Sequence, residues 1–411
     1  MRFSFFIAQR IAGDHQRSFS RLIVFIARIA ITLSLSVMII ASSLVNGFRE
    51  TISEKIYGFW GHVSVSRESL RSSYDDLALP YDTSFVAWAN ENPNIAAIQP
   101  YARKAGIIKK SGLMEGVIIK GISDEFYTDG FKPYLMEGDF PDLTTEDASG
   151  DMLLSRAIAE KLLIGVGDSA VLHFIDQSSS GNYKQRFRKL RVSGIYSTGL
   201  EEFDQLFALA DMRHVQSLNN WNSNEIGGYE IFLKDLELLD ASAKEISNEA
   251  NPFWKVQTIY QLIPGIFDWL NLQKINERII LILMLVVALI NMVTSLLILI
   301  LERTNMIGIL KAMGANNRSI REIFLIKSAN IIVWGLVFGN ILGIGLCLAQ
   351  QQFGLIKLPE ASYYVSEAPV AINYLNILWM NIGTMVISLL FLILPSTLIT
   401  KILPSKAIRF S

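Results

Sequence analysis

Cysteine is almost missing: Cys347, in an apolar run, is the only one among 411 residues. A single thiol excludes an internal disulfide framework and a thiolate metal cluster within one chain. Histidine is scarce too, and the four present (His15, His62, His173, His214) are widely scattered, the last three reading as ordinary strand or helix residues. The G-x-x-x-x-G-K-[ST] phosphate loop, H-E-x-x-H and G-x-S-x-G are all absent, which leaves no nucleotide, zinc-hydrolase or serine-hydrolase signature. Glu201, Glu202 and Asp204 cluster, but a solvated charge run accounts for them better than an acid/base pair. Charge is sparse, at 18% against 51% apolar residues, with a mean hydropathy of +0.34. That balance belongs to a membrane-embedded chain and excludes a disordered one, a coiled-coil rod and a nucleic-acid binder with a general basic face.

Crossing the hydrocarbon core takes about twenty mostly apolar residues. Four runs qualify, near Leu22 to Leu44, Ile279 to Leu301, Ser328 to Gln350 and Leu375 to Thr400. They predict transmembrane helices over residues 22–46, 278–301, 328–350 and 375–400. The first is too long for a signal-peptide core and reads as an uncleaved anchor. Residues 47 to 278 carry 23 Lys and Arg against 33 Asp and Glu, a net of −10, which leaves +9 for the rest of a chain whose total is −1. Arg2, Arg10, Arg17 and Arg21 precede the first span, and Arg303, Lys311, Arg318, Arg321 and Lys327 separate the second from the third. Lys401, Lys406 and Arg409 follow the fourth. The positive-inside rule then puts the N-terminal segment (1–21), the 302–327 loop and the tail (401–411) in the cytoplasm, with the 351–374 loop and the acidic block 47–277 outside. Arg28 lies close enough to the cytoplasmic end to snorkel. Spans two to four hold no ionisable residue in their apolar cores, which disfavours an ion-coupled relay. Gly335, Gly339 and Gly343 repeat every four residues on one helical face, the pattern of close backbone packing, and in so thin a bundle it points to oligomerisation.

The fold class expected is an α+β membrane protein, four transmembrane helices with a large α+β extracytoplasmic domain inserted between spans 1 and 2. HVSVS, a helix from Thr83 ending at Asn92-Pro93, and IAAIQP predict strand, helix, strand. GGYEIFLK, LELLDASAKEISNEA and FWKVQTI repeat that order. The two units predict a split α+β subdomain over about 60–120 and 228–260. Between them, about 121–227, a β-rich subdomain is expected, with the helix SRAIAEKLL and the strands SAVLHFI and RKLRVSGIY joined by QSSSGNYKQ. A stalk helix over about 259–277 should run unbroken into span 2.

The segment LERTNMIGILKAMGANNRSIREIF, residues 301 to 324, places Met306, Leu310 and Met313 on one helical face, with Gly314 as C-cap and Asn316 or Asn317 capping the next helix. Two readings fit it equally: an amphipathic connector resting on the bilayer, or a ridge docking into a soluble partner's groove.

LERTNMIGILKAMGAN resembles the coupling-helix motif of the MacB/FtsX superfamily of ABC permeases. LVNGF (Leu44 to Phe48), IQPYA, GVIIKGI, VGDSAVL, VSGIYSTGLEEFDQLFALADM and the terminal PSKAIR resemble the LolC/LolE permeases of lipoprotein-releasing systems. The likeness covers essentially the whole chain, in order. It implies no cofactor in this chain, ATP and Mg being bound by a separate ABC-type ATPase subunit, which would seat on Glu302, Arg303, Thr304, Met306, Ile307, Gly308, Leu310, Lys311, Ala312, Met313 and Gly314 and act by mechanotransmission. It further implies a second permease subunit, identical or paralogous, a lipoprotein substrate taken from the outer leaflet of the inner membrane, and a periplasmic lipoprotein carrier. Nucleic acid is not among the expected partners. Combined with small and apolar residues late in span 1, it points to a lipoprotein cleft at Met38, Ser42, Asn46 and Phe48. A carrier-binding hairpin would fall on Phe174, Ile175, Asp176, Tyr183 and Phe187. The alternative within the superfamily is a permease for peptide or drug efflux or for activating cell-wall hydrolases.

Overall fold

The computed structural model describes residues 18–67, 75–177 and 183–401. Arg2, Arg10, Arg17, the SSSGN part of the polar loop, and PSKAIR lie outside them. The chain divides into two compact units, one made of 1–50, 269–357 and 367–411, the other of 51–268 and 358–366.

The first unit is helical. Helix α1 (Ser18–Trp60) contributes its first part here and its last turns to the second unit. The second unit's sheet begins with β1 (Val63–Arg67). It continues through α2 (Thr83–Glu91), β2 (Ile95–Lys110), β3 (Leu113–Ile122), β4 (Leu135–Gly138), β5 (Asp151–Ser155) and α3 (Arg156–Leu162). Then come β6 (Ser169–Gln177), β7 (Tyr183–Tyr196), β8 (Phe207–Asp211), α4 (Met212–Asn219), β9 (Gly228–Leu233), α5 (Leu239–Glu249) and β10 (Trp254–Thr258). After them come α6 (Pro264–Glu302), the short α7 (Thr304–Ala312), α8 (Asn317–Phe353) and α9 (Tyr374–Ser396). Helices α1, α6, α8 and α9 have the length and apolarity to cross a membrane, and the α+β domain lies between the first and second of them.

Local chemistry sets several ends. Asp82 caps α2 by accepting from the amides of Ser84 and Phe85, and Ser155 caps α3 by accepting from that of Ile158. Asn373 does the same for α9 at Leu375 and Asn376. The predicted stalk is interrupted. A single turn, Ile259–Leu262, closes on a capping box of Thr258 and Gln261, Ile263 leaves helical geometry (φ −128°, ψ 65°), and α6 restarts with Pro264 in its first position. Proline there has no amide to lose and a φ already suited to a helix, so it starts one helix by ending another.

In the second unit, ten strands form one sheet in the order β10-β1-β9-β2-β3-β8-β5-β7-β4, with β6 pairing β2 and β7. The two expected subdomains share it. Residues 95–101 of β2 pair antiparallel with β9, and 102–110 of the same strand pair with β3. One continuous apolar core follows, running from Val63, Phe85 and Ile231 to Ile119, Leu154 and Val192. IAAIQP is thus the first part of a sixteen-residue strand. The short motif conceals this because the strand changes partner partway.

In the first unit, Ala27, Ile31, Leu35 and Ile39 of α1 make a core with Met292 and Leu296 of α6, Ile332 and Leu336 of α8, and Leu392 of α9. Gly335, Gly339 and Gly343 are packed against α1 of the same chain: a Cβ on them would lie 2.7, 3.0 and 3.1 Å from Ile31, Leu35 and Ile39 respectively. The close approach lets Thr32 and Ser36 donate to the carbonyls of Gly335 and Gly339, at 3.2 and 3.0 Å. The glycine face expected to meet another subunit is therefore used within the chain, since the small residues offer the flat track that the branched side chains of α1 need.

Candidate functional site

Helix α7 is the segment the sequence marks most strongly. Glu302 ends α6, Arg303 breaks the helical path (φ −102°, ψ 18°), and Thr304 begins α7 with its hydroxyl donating to Leu301 O at 2.7 Å. Gly314, at φ +92°, follows its end, and the amide of Ala315 returns to Leu310 O at 2.9 Å. Such a left-handed position suits glycine. Lys311 reaches back to the carbonyl of Ile399 at 2.6 Å. Ile307 and Gly308 are buried, and Met306 and Leu310 pack against the same apolar core. The exposed apolar residues are others: Ile309 and Met313, at 47% and 78% exposure, with Ala312 also exposed, and Leu301 at the end of α6, at 70%. The predicted Met306/Leu310/Met313 ridge is thus divided between two faces. The tether through Lys311 and the burial of Ile307 turn Met306 and Leu310 inward, which spacing alone could not tell.

The proposed lipoprotein cleft fares differently. Met38 and Ser42 are buried within their own unit, and Asn46 and Phe48 are half-buried, Asn46 donating weakly to Ser42 at 3.5 Å. The segment before α9 covers this stretch: the amide of Ala371 donates to Ser43 O at 3.0 Å, and a Cβ on Gly47 would stand 2.4 Å from Pro369 O. Gly47, the glycine of LVNGF, is therefore a close-approach position. The apolar surface that α1 leaves open is Phe25, Ile29, Leu33 and Val37, and that of α6 is Ile279, Ile282, Leu283, Val286 and Ile290.

In the expected carrier hairpin, β6 and β7 pair antiparallel from Ser169↔Arg191 to Gln177↔Tyr183. Phe174 is 1% exposed inside the domain core and is unavailable to a carrier, because β6 turns alternate residues inward. Phe187 is open at 67%. The side chains of Ile175, Asp176 and Tyr183 lie outside the described residues. Arg186 ties the hairpin to α4 through the carbonyls of Ser217 and Leu218, at 3.0 and 2.9 Å.

Three arrangements escaped the sequence reading. Asp204 is buried rather than solvated: it accepts from the amides of Thr198 and Gly199 and from the hydroxyls of Ser197 and Thr198, holding the Ser-Thr-Gly-Leu turn. Asn340 of α8 and Asn381 of α9 exchange amide hydrogen bonds of 2.7 and 3.0 Å. A search for ionisable residues alone overlooks this neutral pair. Lys120 and Glu230 form a buried ion pair at 2.7 Å. The signal available for it was a charge standing in each of two apolar strand runs, VIIKGI and GYEIFL. Burial pushes the Lys120 ammonium below the usual lysine range, with Glu230 opposing the shift. His62 is pushed down to about 4 by burial, and its Nδ1 accepts from the amide of Leu233 at 2.7 Å. Among the described residues, no group of three or more His, Cys, Asp or Glu is placed to hold a metal ion.

Four apolar helices long enough to cross a membrane, an α+β domain between the first two, and a short helix between the second and third define the architecture of a multi-pass membrane protein. Residues 24–249 match the MacB-like periplasmic core domain and residues 278–404 the FtsX-like permease C-terminal domain. The chain belongs to this MacB/FtsX family of permeases. It is similar to the lipoprotein-releasing system transmembrane protein LolC of Xylella fastidiosa, at 22% identity over 93% of this chain and 92% of that one. It is also similar to LolE of Haemophilus influenzae, at 23% identity over 99% of both chains, and to LolC of Neisseria meningitidis serogroup B, at 22% over 96% of both.

Proposed function

We propose that this chain is the permease subunit of a lipoprotein-releasing ABC transporter in the inner membrane, with both termini cytoplasmic and the α+β domain periplasmic. The observation that carries the reading is α7, a short helix between two spans that is fastened to its own bundle through Ile307, Met306, Leu310 and Lys311 and leaves Ile309 and Met313 exposed, with Leu301 exposed at the end of α6. A soluble ATPase subunit docks on these exposed residues and moves α6 and α8, which flank α7 in the chain. ATP and Mg are bound by that subunit, and ATP is hydrolysed there. The full-length likeness to LolC and LolE supports lipoproteins as the substrate and a paralogous or identical permease as the second subunit.

Lipoprotein acyl chains are held by the exposed apolar side chains of α1, Leu33 and Val37, and of α6, Ile279, Ile282, Val286 and Ile290. Each buried methylene contributes about 0.8 kcal/mol, so such a wall competes with the bilayer for acyl chains and must be closed by ATP-driven movement to release them. The released lipoprotein passes to a periplasmic carrier, for which Phe187 on the β6–β7 hairpin supplies an exposed aromatic contact.

The test is depletion of the chain in cells followed by membrane fractionation. Lipoproteins accumulate in the inner membrane on this reading. Normal delivery to the outer membrane, with loss of peptide or drug efflux or of cell-wall hydrolysis instead, overturns it in favour of another branch of the superfamily.

A further inference from the structure

The last carbonyls of a helix have no partners within it and carry the negative end of its dipole. At the end of α1 this need is met from the centre of the sheet. Lys120 of β3 donates to the carbonyl of Phe59. Its ammonium also stands 4.5 Å from the Phe59 ring centroid and 5.4 Å from that of Trp60. The charge is balanced by Glu230 of β9 at 2.7 Å, each side chain only 1% exposed. The other Glu230 oxygen accepts from Gln99 of β2 at 2.7 Å, and Gln99 accepts in turn from the amide of Tyr127, also at 2.7 Å. Lys120, Gln99 and Glu230 thus sit on three adjacent strands. Around them, the Phe59 ring packs on Phe131, Tyr196, Phe203 and Phe207, and the Arg103 guanidinium, held by Asp76, lies over Trp60.

A buried ion pair is weak evidence of stability, because well-packed apolar residues of the same volume often serve as well. Apolar packing, however, lets a helix end slide or turn, whereas a lysine bonded to one backbone carbonyl fixes where that carbonyl lies. We infer that Lys120, oriented by Glu230, is a positioning residue that locks the last turn of α1 to the centre of the sheet, so that movement of α1 is delivered to the domain instead of being lost at their joint. Resting on the permease reading, it makes the Lys120–Glu230 pair a determinant of lipoprotein released per ATP consumed.

The experiment uses the full chain assembled with its ATPase. Lys120→Met/Glu230→Met removes both charges at similar volume, and Lys120→Gln/Glu230→Gln keeps a neutral donor for the Phe59 carbonyl. Spin labels at Glu54, on the last turns of α1, and at Glu249, on α5, report the joint. The Met pair is expected to unfold within a few degrees of wild type, to broaden the distance distribution, and to keep hydrolysing ATP while lipoprotein released per ATP falls at least tenfold. The Gln pair restores the narrow distance and the yield. A folded Met pair with unchanged distances or an unchanged yield overturns the proposal, as does a folded Gln pair that restores neither. Should the Met pair not fold, a Gln pair with wild-type stability and a broadened joint overturns it as well. If the wild-type complex releases no lipoprotein while the distances behave as expected, the permease reading falls and the locked joint stands.

Discussion

Buried polar groups are handled differently in the two units. In the helical unit the fully buried polar side chains among the described residues are uncharged: Ser36 donates to a glycine carbonyl on α8, as the half-buried Thr32 does, and the half-buried Asn340 and Asn381 exchange amides. In the α+β unit a lysine and a glutamate are buried with their charges, and Asp204 is enclosed by amides and hydroxyls. The difference follows from what surrounds each. Hydrocarbon offers no donors to compensate an ion, so an ion there is costly, while a sheet can bring three strands of polar side chains to one point. Glycine takes the place of charge as the specifying element between α1 and α8, by deciding which helices can touch.

The largest expected effect is on the charged side of this contrast. Lys120→Met alone leaves Glu230 buried without its cation and should cost about 4 kcal/mol of unfolding free energy in chemical denaturation, far more than the double Met variant. Equal losses in the two would place the cost in packing and not in the orphaned charge.

His62 comes next. Its folded-state pKa of about 4 lies below the ordinary 6.5, so the unfolded chain takes up a proton that the folded one refuses. This contribution is intact above pH 6.5, is lost as pH falls from 6.5 towards 4, and levels off below that, at about 3 kcal/mol. Thermal unfolding of wild type and His62→Gln across pH 7 to 4 should show the steeper decline in wild type; parallel declines would mean that His62 does not titrate as described.

Within the helical unit, Gly339→Leu should cost about 2 kcal/mol by forcing α8 from Leu35. Gly345→Leu on the same helix, with nothing within 4 Å of its added Cβ, should change the unfolding midpoint in detergent by little. The smallest effect belongs to Asn340→Leu, about 0.6 kcal/mol, the usual scale of an interhelical hydrogen bond in a membrane. A loss as large as that of Lys120→Met would erase the contrast between the units.

What could be read from the sequence was mainly what is local. The presence of four long apolar helices, the Asn92-Pro93 stop, the SRAIAEKLL helix and the Gly314 turn are set by residues close together in sequence. The readings that changed depend on distant partners. Which face of α7 is free is decided by Ile399 taking Lys311 and by the core around Ile307. Met38 and Ser42 looked like a cleft until the 367–373 segment covered that end of α1, and Gly335 looked free until Ile31 met it. Phe174 and Phe187 are both aromatic hairpin residues, and only strand alternation separates the buried from the open one. Asp204 shows the same limit in a charged run, since its neighbours Glu201 and Glu202 are more exposed while it is enclosed.

The central claim is that the exposed Ile309 and Met313 of α7, with Leu301 at the end of α6, receive an ATPase. Ile309→Asp/Met313→Asp places two charges there without touching the buried Ile307 side. The direct measurement is co-purification of the ATP-binding subunit with the full chain, together with its ATP hydrolysis in the reconstituted complex. The variant should remain folded and membrane-inserted, yet recover at least tenfold less ATPase subunit. Wild-type recovery and hydrolysis with both aspartates present would contradict the account and leave α7 as a connector resting on the bilayer.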